Sequence, residues 1–177
     1  HPVITPMCIM GNPDFNKIIE SDYQEYYFQP LHVTILSYPN HDRLLELWKK
    51  GLALGIFKPG LHGREHVNVA RFMRILQEQG GGFRFASKNF SLGAGSFREQ
   101  KFENYLGALH PESLKELKKL HDYLKEAGEL FVQYCGYKPT CFIAPNREEP
   151  KELEVSLNEI GVKFLTRSKL RKYPLGN

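Results

Sequence analysis

The chain has 177 residues, of which 41% are hydrophobic and 25% charged. That is ordinary globular composition, with enough length to bury a core, and one domain spanning residues 1–177 is the default. The net charge of +4 is modest, and its densest basic cluster, Arg167 to Lys172, reads as a solvated face and not a nucleic-acid patch. No apolar run approaches the ~18 to 20 residues of a membrane span.

Val3 to Met10 is a short apolar run bounded by Pro2 and Gly11, and the pattern predicts a buried strand. It starts so early that further structure is expected upstream. Cys8 belongs to it. With Cys135 and Cys141 it makes an odd set lacking CxxC spacing, so we expect three reduced, partly buried thiols, which leans towards a cytoplasmic setting. Asn12-Pro13-Asp14 breaks the run, and Phe15 to Glu20 reads as a helical turn with Asp14 near its start. Tyr23 to Tyr38 is rich in aromatic residues and irregular. Its aromatics from Tyr23 to Phe28 suit either a loop packed over the barrel edge or a platform for sugar rings.

His41 to Leu54 is the first clear helix. Leu44, Leu45, Leu47, Trp48 and Leu52 lie near one face, Asn40 is a fair N-cap and Gly55 a stop. Gly55-Ile56-Phe57 then reads as a strand that Lys58-Pro59-Gly60 keeps short. The segment Leu61-His62-Gly63-Arg64-Glu65-His66 follows, ahead of a helix from Val69 to Gln77 that points Val69, Phe72, Met73 and Leu76 inward. Gly80-Gly81-Gly82 stops this helix, Phe83 to Phe90 suggests a strand, and Gly93-Ala94-Gly95 a loop.

The longest helix is expected from about Pro111 to Tyr134. Leu114, Leu117, Leu120, His121, Leu124 and Phe131 recur at helical spacing, Pro111 suits a first turn and Gly136 is the stop. Thr140 to Ala144 reads as a strand stopped by Pro145. Lys151 to Ile160 reads as a helix stopped by Gly161, with Leu153, Leu157 and Ile160 inward, and Val162 to Leu165 as a last strand. Strands alternating with helices imply an α/β fold with a mostly parallel sheet.

In such folds ligands bind at the C-terminal ends of the strands. Three polar groups follow expected strands: Asn12 with Asp14, His62 with His66, and Asn146 with Arg147. Two imidazoles in the spacing His-x-x-x-His can reach one metal ion, which makes a hydrolase conceivable. The plainer alternative has His62 bonded to a loop carbonyl and His66 capping a helix. Arg64 and Glu65 read as a local ion pair, His121 as a satisfied histidine on an apolar face, His32 and His41 as loop or cap residues, Asp14 as an N-cap, and Arg147 as either a substrate contact or a surface arginine.

The stretch Leu44 to Leu76 resembles the histidine motif region of polysaccharide deacetylases of the NodB-homology type. His62-Gly63-Arg64-Glu65-His66 matches its spacing, with Gly63 where Ser or Thr is usual. Cys141-Phe142-Ile143-Ala144-Pro145-Asn146, with the helix and Gly161-Val162 beyond it, resembles the next motif region. Phe142 and Pro145 match there, whereas Ile143 replaces an Arg and Asn146 a Tyr. The resemblance implies a distorted (β/α) barrel, incomplete at its N-terminus, and a divalent metal, usually zinc, held by His62, His66 and an Asp. That Asp and a second one acting as base would lie on an earlier strand; no Asp-Asp pair occurs in this sequence. It implies removal of acetyl groups from an N-acetylated carbohydrate, with Asn146 and Arg147 on the catalytic rim. A non-catalytic carbohydrate-binding or assembly protein on the same scaffold is the alternative, motivated by Ile143 and Asn146; a phosphate-ester hydrolase is a third.

Overall fold

A computed structural model describes residues 2–78 and 105–167. The expected stop at Gly80 to Gly82, the strand at Phe83 to Phe90, the loop at Gly93 to Gly95 and all but Arg167 of the basic cluster lie outside these residues.

The chain forms a mixed α/β structure around a four-stranded parallel sheet. Its strands are β1 (Met7–Cys8), β4 (Gly60–Leu61), β5 (Cys141–Ile143) and β6 (Phe164–Thr166), neighbouring one another in that order. Each new strand is added beside the previous one, so the sheet grows in a single direction. A two-stranded antiparallel sheet, β2 (Gly11–Pro13) with β3 (Phe28–Pro30), is inserted after β1. The helices are α1 (Phe15–Glu20), α2 (Leu31–Ser37), α3 (Leu44–Ala53), α4 (Val69–Glu78), α5 (Leu114–Cys135) and α6 (Glu154–Glu159).

The first expected strand is broken rather than continuous. Ile4 bridges to Phe57 and Met7–Cys8 pair with Gly60–Leu61, all in one parallel register. Backbone bonds run along this line from Ile4 N–H to Ile56 O (3.2 Å) through Gly60 N–H to Pro6 O (2.9 Å) to His62 N–H to Cys8 O (2.8 Å). Pro6 and Pro59 lack the N–H groups that an unbroken ladder needs. The partner strand therefore ends at Leu61 and not at Phe57, which brings the strand end directly against His62.

Helix boundaries also move. α3 begins at Leu44 after Arg43, with no side-chain cap, so Asn40 does not cap it; Asn40 sits in a left-handed turn at φ 64°. The α3 face is only partly covered. Leu44 and Leu47 are exposed, while Trp48 stacks on Phe57 at 4.9 Å and donates to Tyr134 O at 3.2 Å. α5 starts at Leu114 and not Pro111, because Ser113 accepts the Glu116 N–H and caps it. Gly136, at φ 77°, ends α5 as expected. The helix expected over Lys151 to Ile160 splits into a 3-10 turn, Lys151–Leu153, and α6. Tyr23 to Tyr38 is not irregular throughout: it contains β3 and α2.

Two hydrophobic clusters hold the elements together. The larger joins Leu61 and Phe142 of the sheet to Leu117, Leu120, Leu124 and Phe131 of α5 and to Leu153 and Leu157. In the second, Phe15 and Ile18 of α1 meet Phe72, Met73, Ile75 and Leu76 of α4. The expected inward faces of α4 and α5 are these, except that Leu114 is exposed. Tyr23, Tyr26 and Tyr27 pack against the second cluster, as an edge-covering segment does. The three cysteines are unpaired, and burial pushes the Cys135 thiol up to about 12, far from a reactive thiolate. No helix among the described residues is long and apolar enough to cross a membrane.

Glu112 ties the start of α5 back to α4. It accepts from Arg71 Nε at 2.6 Å and from Arg74 Nη1 at 3.0 Å. The Arg74 hydrogen bond, followed by that of Arg71, lowers its carboxyl from an ordinary 4.5 to about 2. A carboxyl depressed by folding adds stability above its ordinary value and loses it as pH falls through the folded one. The stability gap between the wild type and Glu112→Gln should therefore be full at pH 6, shrink below about 4.5 and vanish near 2. Urea unfolding of both proteins across that range measures it, and a gap independent of pH would contradict the assignment.

Candidate functional site

The rim at the C-terminal ends of β4 and β5 is built from loops that follow those strands. Residues 61–68 follow β4, and their burial has a clear pattern. Leu61, Gly63, Arg64, Glu65, Val67 and Asn68 are buried, whereas His62 and His66 are half-buried. In this loop only the two imidazoles reach solvent. Their ring centres are 5.1 Å apart at an interplanar angle of 57°. Two imidazoles on one tetrahedral ion, with bonds of about 2.0 to 2.1 Å, place their ring centres roughly 5 Å apart, so the separation suits a shared ion.

His62 Nδ1 lies 2.7 Å from Ile143 O. A carbonyl only accepts, so Nδ1 carries the hydrogen and the neutral ring presents Nε2 as its lone-pair nitrogen. Burial lowers the His62 pKa, the Ile143 bond opposes this, and nearby His66 lowers it further. A ring kept neutral, with one nitrogen tied to a carbonyl, is how ligating histidines are commonly oriented. The plainer alternative, a loop-carbonyl bond, is thus present at His62, and it leaves Nε2 available.

The β5 loop meets this one. Gly63, at φ 110°, lies so close to Pro145 that a Cβ added there would sit 3.6 Å from the proline ring. The 3-10 turn Pro145–Arg147 follows β5 and carries Asn146 and Arg147, both exposed and both left-handed, at φ 56° and 57°. Two consecutive non-glycine residues in that region store backbone strain, a pattern that clusters at functional sites. The turn closes through Arg147 N–H to Ala144 O at 2.8 Å. Asn12 lies on β2 opposite Gln29, and Met10, just before it, donates to Gly63 O and Arg64 O at 3.2 and 3.0 Å. The ends of β4 and β5 thus adjoin, Met10 beyond β1 bonds to the β4 loop, and Asn12 lies in the small antiparallel sheet.

Arg64 and Glu65 form the expected ion pair, and it is a buried one. Arg64 Nε donates to Glu65 Oε2 at 2.7 Å and Nη2 to Oε1 at 3.1 Å, while Nη1 reaches Glu126 Oε2 of α5 at 2.7 Å. The guanidinium carbon lies 3.6 Å from the centre of the Tyr123 ring and 4.6 Å from that of Phe28. Burial opposes the Arg64 charge, but the Glu65 carboxylate and the bonds to Glu65 and Glu126 outweigh it and hold the side chain protonated. Burial raises the Glu65 carboxyl, with Arg64 acting against the rise.

Other histidines behave as structural residues. His121 bonds Ser156, His32 bonds the Tyr134 hydroxyl at 2.6 Å and His41 bonds Pro39 O at 2.8 Å. Asp14 caps α1 through Lys17 N–H at 3.2 Å. Three rim residues escaped the sequence reading. Asn68 Nδ2 donates to His110 O at 2.7 Å, and Asn68 Oδ1 accepts from Arg71 N–H at 3.1 Å, which joins the 105–110 loop to the start of α4. His110 Nδ1 lies 3.4 Å from Glu148 Oε2, close enough for an ion pair but without hydrogen-bond geometry. Gly107 packs there, where an added Cβ would be 3.0 Å from Glu148 Oε2 and 4.0 Å from Asn146 Nδ2. The polar residue ahead of the α4 pattern could have flagged Asn68; His110 and Glu148 carry no spacing signal.

Among the described residues no three His, Cys, Asp or Glu side chains are placed to hold an ion, so His62 and His66 could supply two ligands of a set. A cavity of about 670 Å³ opens at the opposite, N-terminal ends of the strands, beside Val3, Phe57, Lys58 and Tyr137, and plays no part in this rim. No protein-family model, curated protein or solved structure matches the chain.

Proposed function

We propose that the chain is a metal-dependent hydrolase that removes acetyl groups from N-acetylated carbohydrate, on a barrel of the deacetylase type. The observation that carries the reading is the pair of half-exposed imidazoles, 5.1 Å apart, at the end of a central parallel strand in an otherwise buried loop. The His-x-x-x-His spacing and the Phe142 and Pro145 matches support it, as does the neighbour-by-neighbour order of the parallel strands, which a barrel requires.

In this reading His62 and His66 hold a divalent metal, zinc as is usual in the deacetylase family, through His62 Nε2 and one nitrogen of His66. When bound, zinc supplies an acidified water and polarises the acetyl carbonyl. The Ile143 carbonyl fixes the His62 ring. Asn146 and Arg147, exposed on the adjoining turn, face the sugar. The reading also needs a third ligand and a base, which in the deacetylase family are aspartates.

The zinc content of the purified protein tests the metal. His62→Ala and His66→Ala should each lose most of the bound zinc, and unchanged content in both variants overturns the proposal. A second reading, a carbohydrate-binding scaffold without catalysis, is favoured by Ile143, which offers only a backbone carbonyl where an arginine would orient the base. Sugar binding without acetate release would select it.

A further inference from the structure

We propose that the buried Arg64–Glu65 pair is a positioning device for the two imidazoles: it locks the loop between them so that His62 and His66 stay on one side at ligand spacing. The proposal rests on the metal-binding reading of these histidines and adds which residues set their geometry.

The pair lies between the histidines in sequence and on the opposite, buried side of the loop. Arg64 is 7% exposed and Glu65 3%. A side chain that only filled space here could be apolar, since a buried ion pair offers little net stability over packed hydrophobic residues. Its distinguishing property is directional. The two parallel bonds to Glu65 fix the guanidinium plane, the Tyr123 ring lies 3.6 Å from its centre, and the third bond runs to Glu126 of α5. The Arg64 carbonyl accepts Met10 N–H at 3.0 Å. One residue is thus held by its neighbour, by α5 and by Met10, just beyond β1. Gly63, at φ 110°, makes the turn that sends His62 outward and Arg64 inward. With the loop so pinned, the His62 ring reaches Ile143 O at 2.7 Å.

The test uses a paired replacement, Arg64→Met with Glu65→Leu, which leaves no buried charge uncompensated, and the single replacement Arg64→Lys, which keeps the charge but not the fork. Two readouts are taken on the full-length protein: the NMR signal of the His62 Nδ1–H bonded to Ile143, and binding of Co²⁺ with its visible absorption spectrum. The expected result is a folded paired variant that loses the Nδ1–H signal and binds Co²⁺ roughly tenfold to a hundredfold more weakly, the range seen when groups that orient ligands are removed. Arg64→Lys should fall between the two. A paired variant that keeps the Nδ1–H signal and binds within twofold of wild type overturns the proposal. If wild type binds no Co²⁺, the metal reading fails, and the Nδ1–H signal alone then decides whether the pair positions His62. Should the paired variant not fold, Arg64→Lys decides: a wild-type signal and affinity in it overturn the proposal.

Discussion

Replacing Arg64 alone with alanine is expected to destabilise the protein by about 3 to 5 kcal/mol, the range for removing one partner of a buried ion pair. The cost has two sources. Glu65, 3% exposed, loses both of its bonds to the guanidinium and keeps a buried carboxylate with no compensating cation. Tyr123 and Phe28 lose the group packed against them. Glu126 loses its bond too but is half open to water, so it adds little. The loss should shrink at low pH, because burial already raises the Glu65 carboxyl and a protonated Glu65 no longer needs its partner. Urea unfolding of wild type and Arg64→Ala at pH 7 and pH 5 measures both effects. A loss under about 1 kcal/mol would place the pair with ordinary surface bridges.

Truncating Phe131 to alanine should cost a similar amount, about 3 to 5 kcal/mol, for a different reason. Phe131 is fully buried in the larger cluster and meets Tyr137 edge-on at 5.5 Å. Its loss leaves a cavity between α5 and the sheet, where strand and helix backbones limit collapse. The neighbouring position Val132 is 40% exposed, and its truncation should change stability by only a few tenths of a kcal/mol. Thermal and denaturant unfolding of both variants checks the contrast. Equal effects would mean that α5 presents a different face to the sheet.

Much of the α/β arrangement is legible in the sequence, and the reasons are local. Apolar residues at helical spacing mark α4 and α5 because their buried faces are wide, and Gly136 and Asp14 act where short-range backbone geometry demands them. Strand ends are harder. Pro6 and Pro59 interrupt a register that continues across them, and only the pairing of Ile4 with Phe57 shows that one line of bonds runs through. α2 was hidden because Leu31 to Ser37 buries no residue fully and so has no strong period. At the site, the His62 and His66 spacing is visible in the chain, and so is the Arg64–Glu65 neighbour pair. The burial of that pair is not, because it depends on Tyr123, Phe28 and Glu126, brought from distant elements. His110 and Glu148 meet only through tertiary packing.

The single direction of sheet growth has a kinetic consequence. β1 finds β4 across about 50 residues and β4 finds β5 across about 80, so neither pairing can be made by a local turn. Closing such loops is entropically costly before any contact rewards it, and parallel pairing across them slows folding. The hairpin of β2 and β3 closes a much shorter loop and can form early. The histidine rim, which needs Met10, Leu61 and Ile143 side by side, would then be among the last parts of the molecule to assemble. Formation of this rim should lag behind helix formation during refolding.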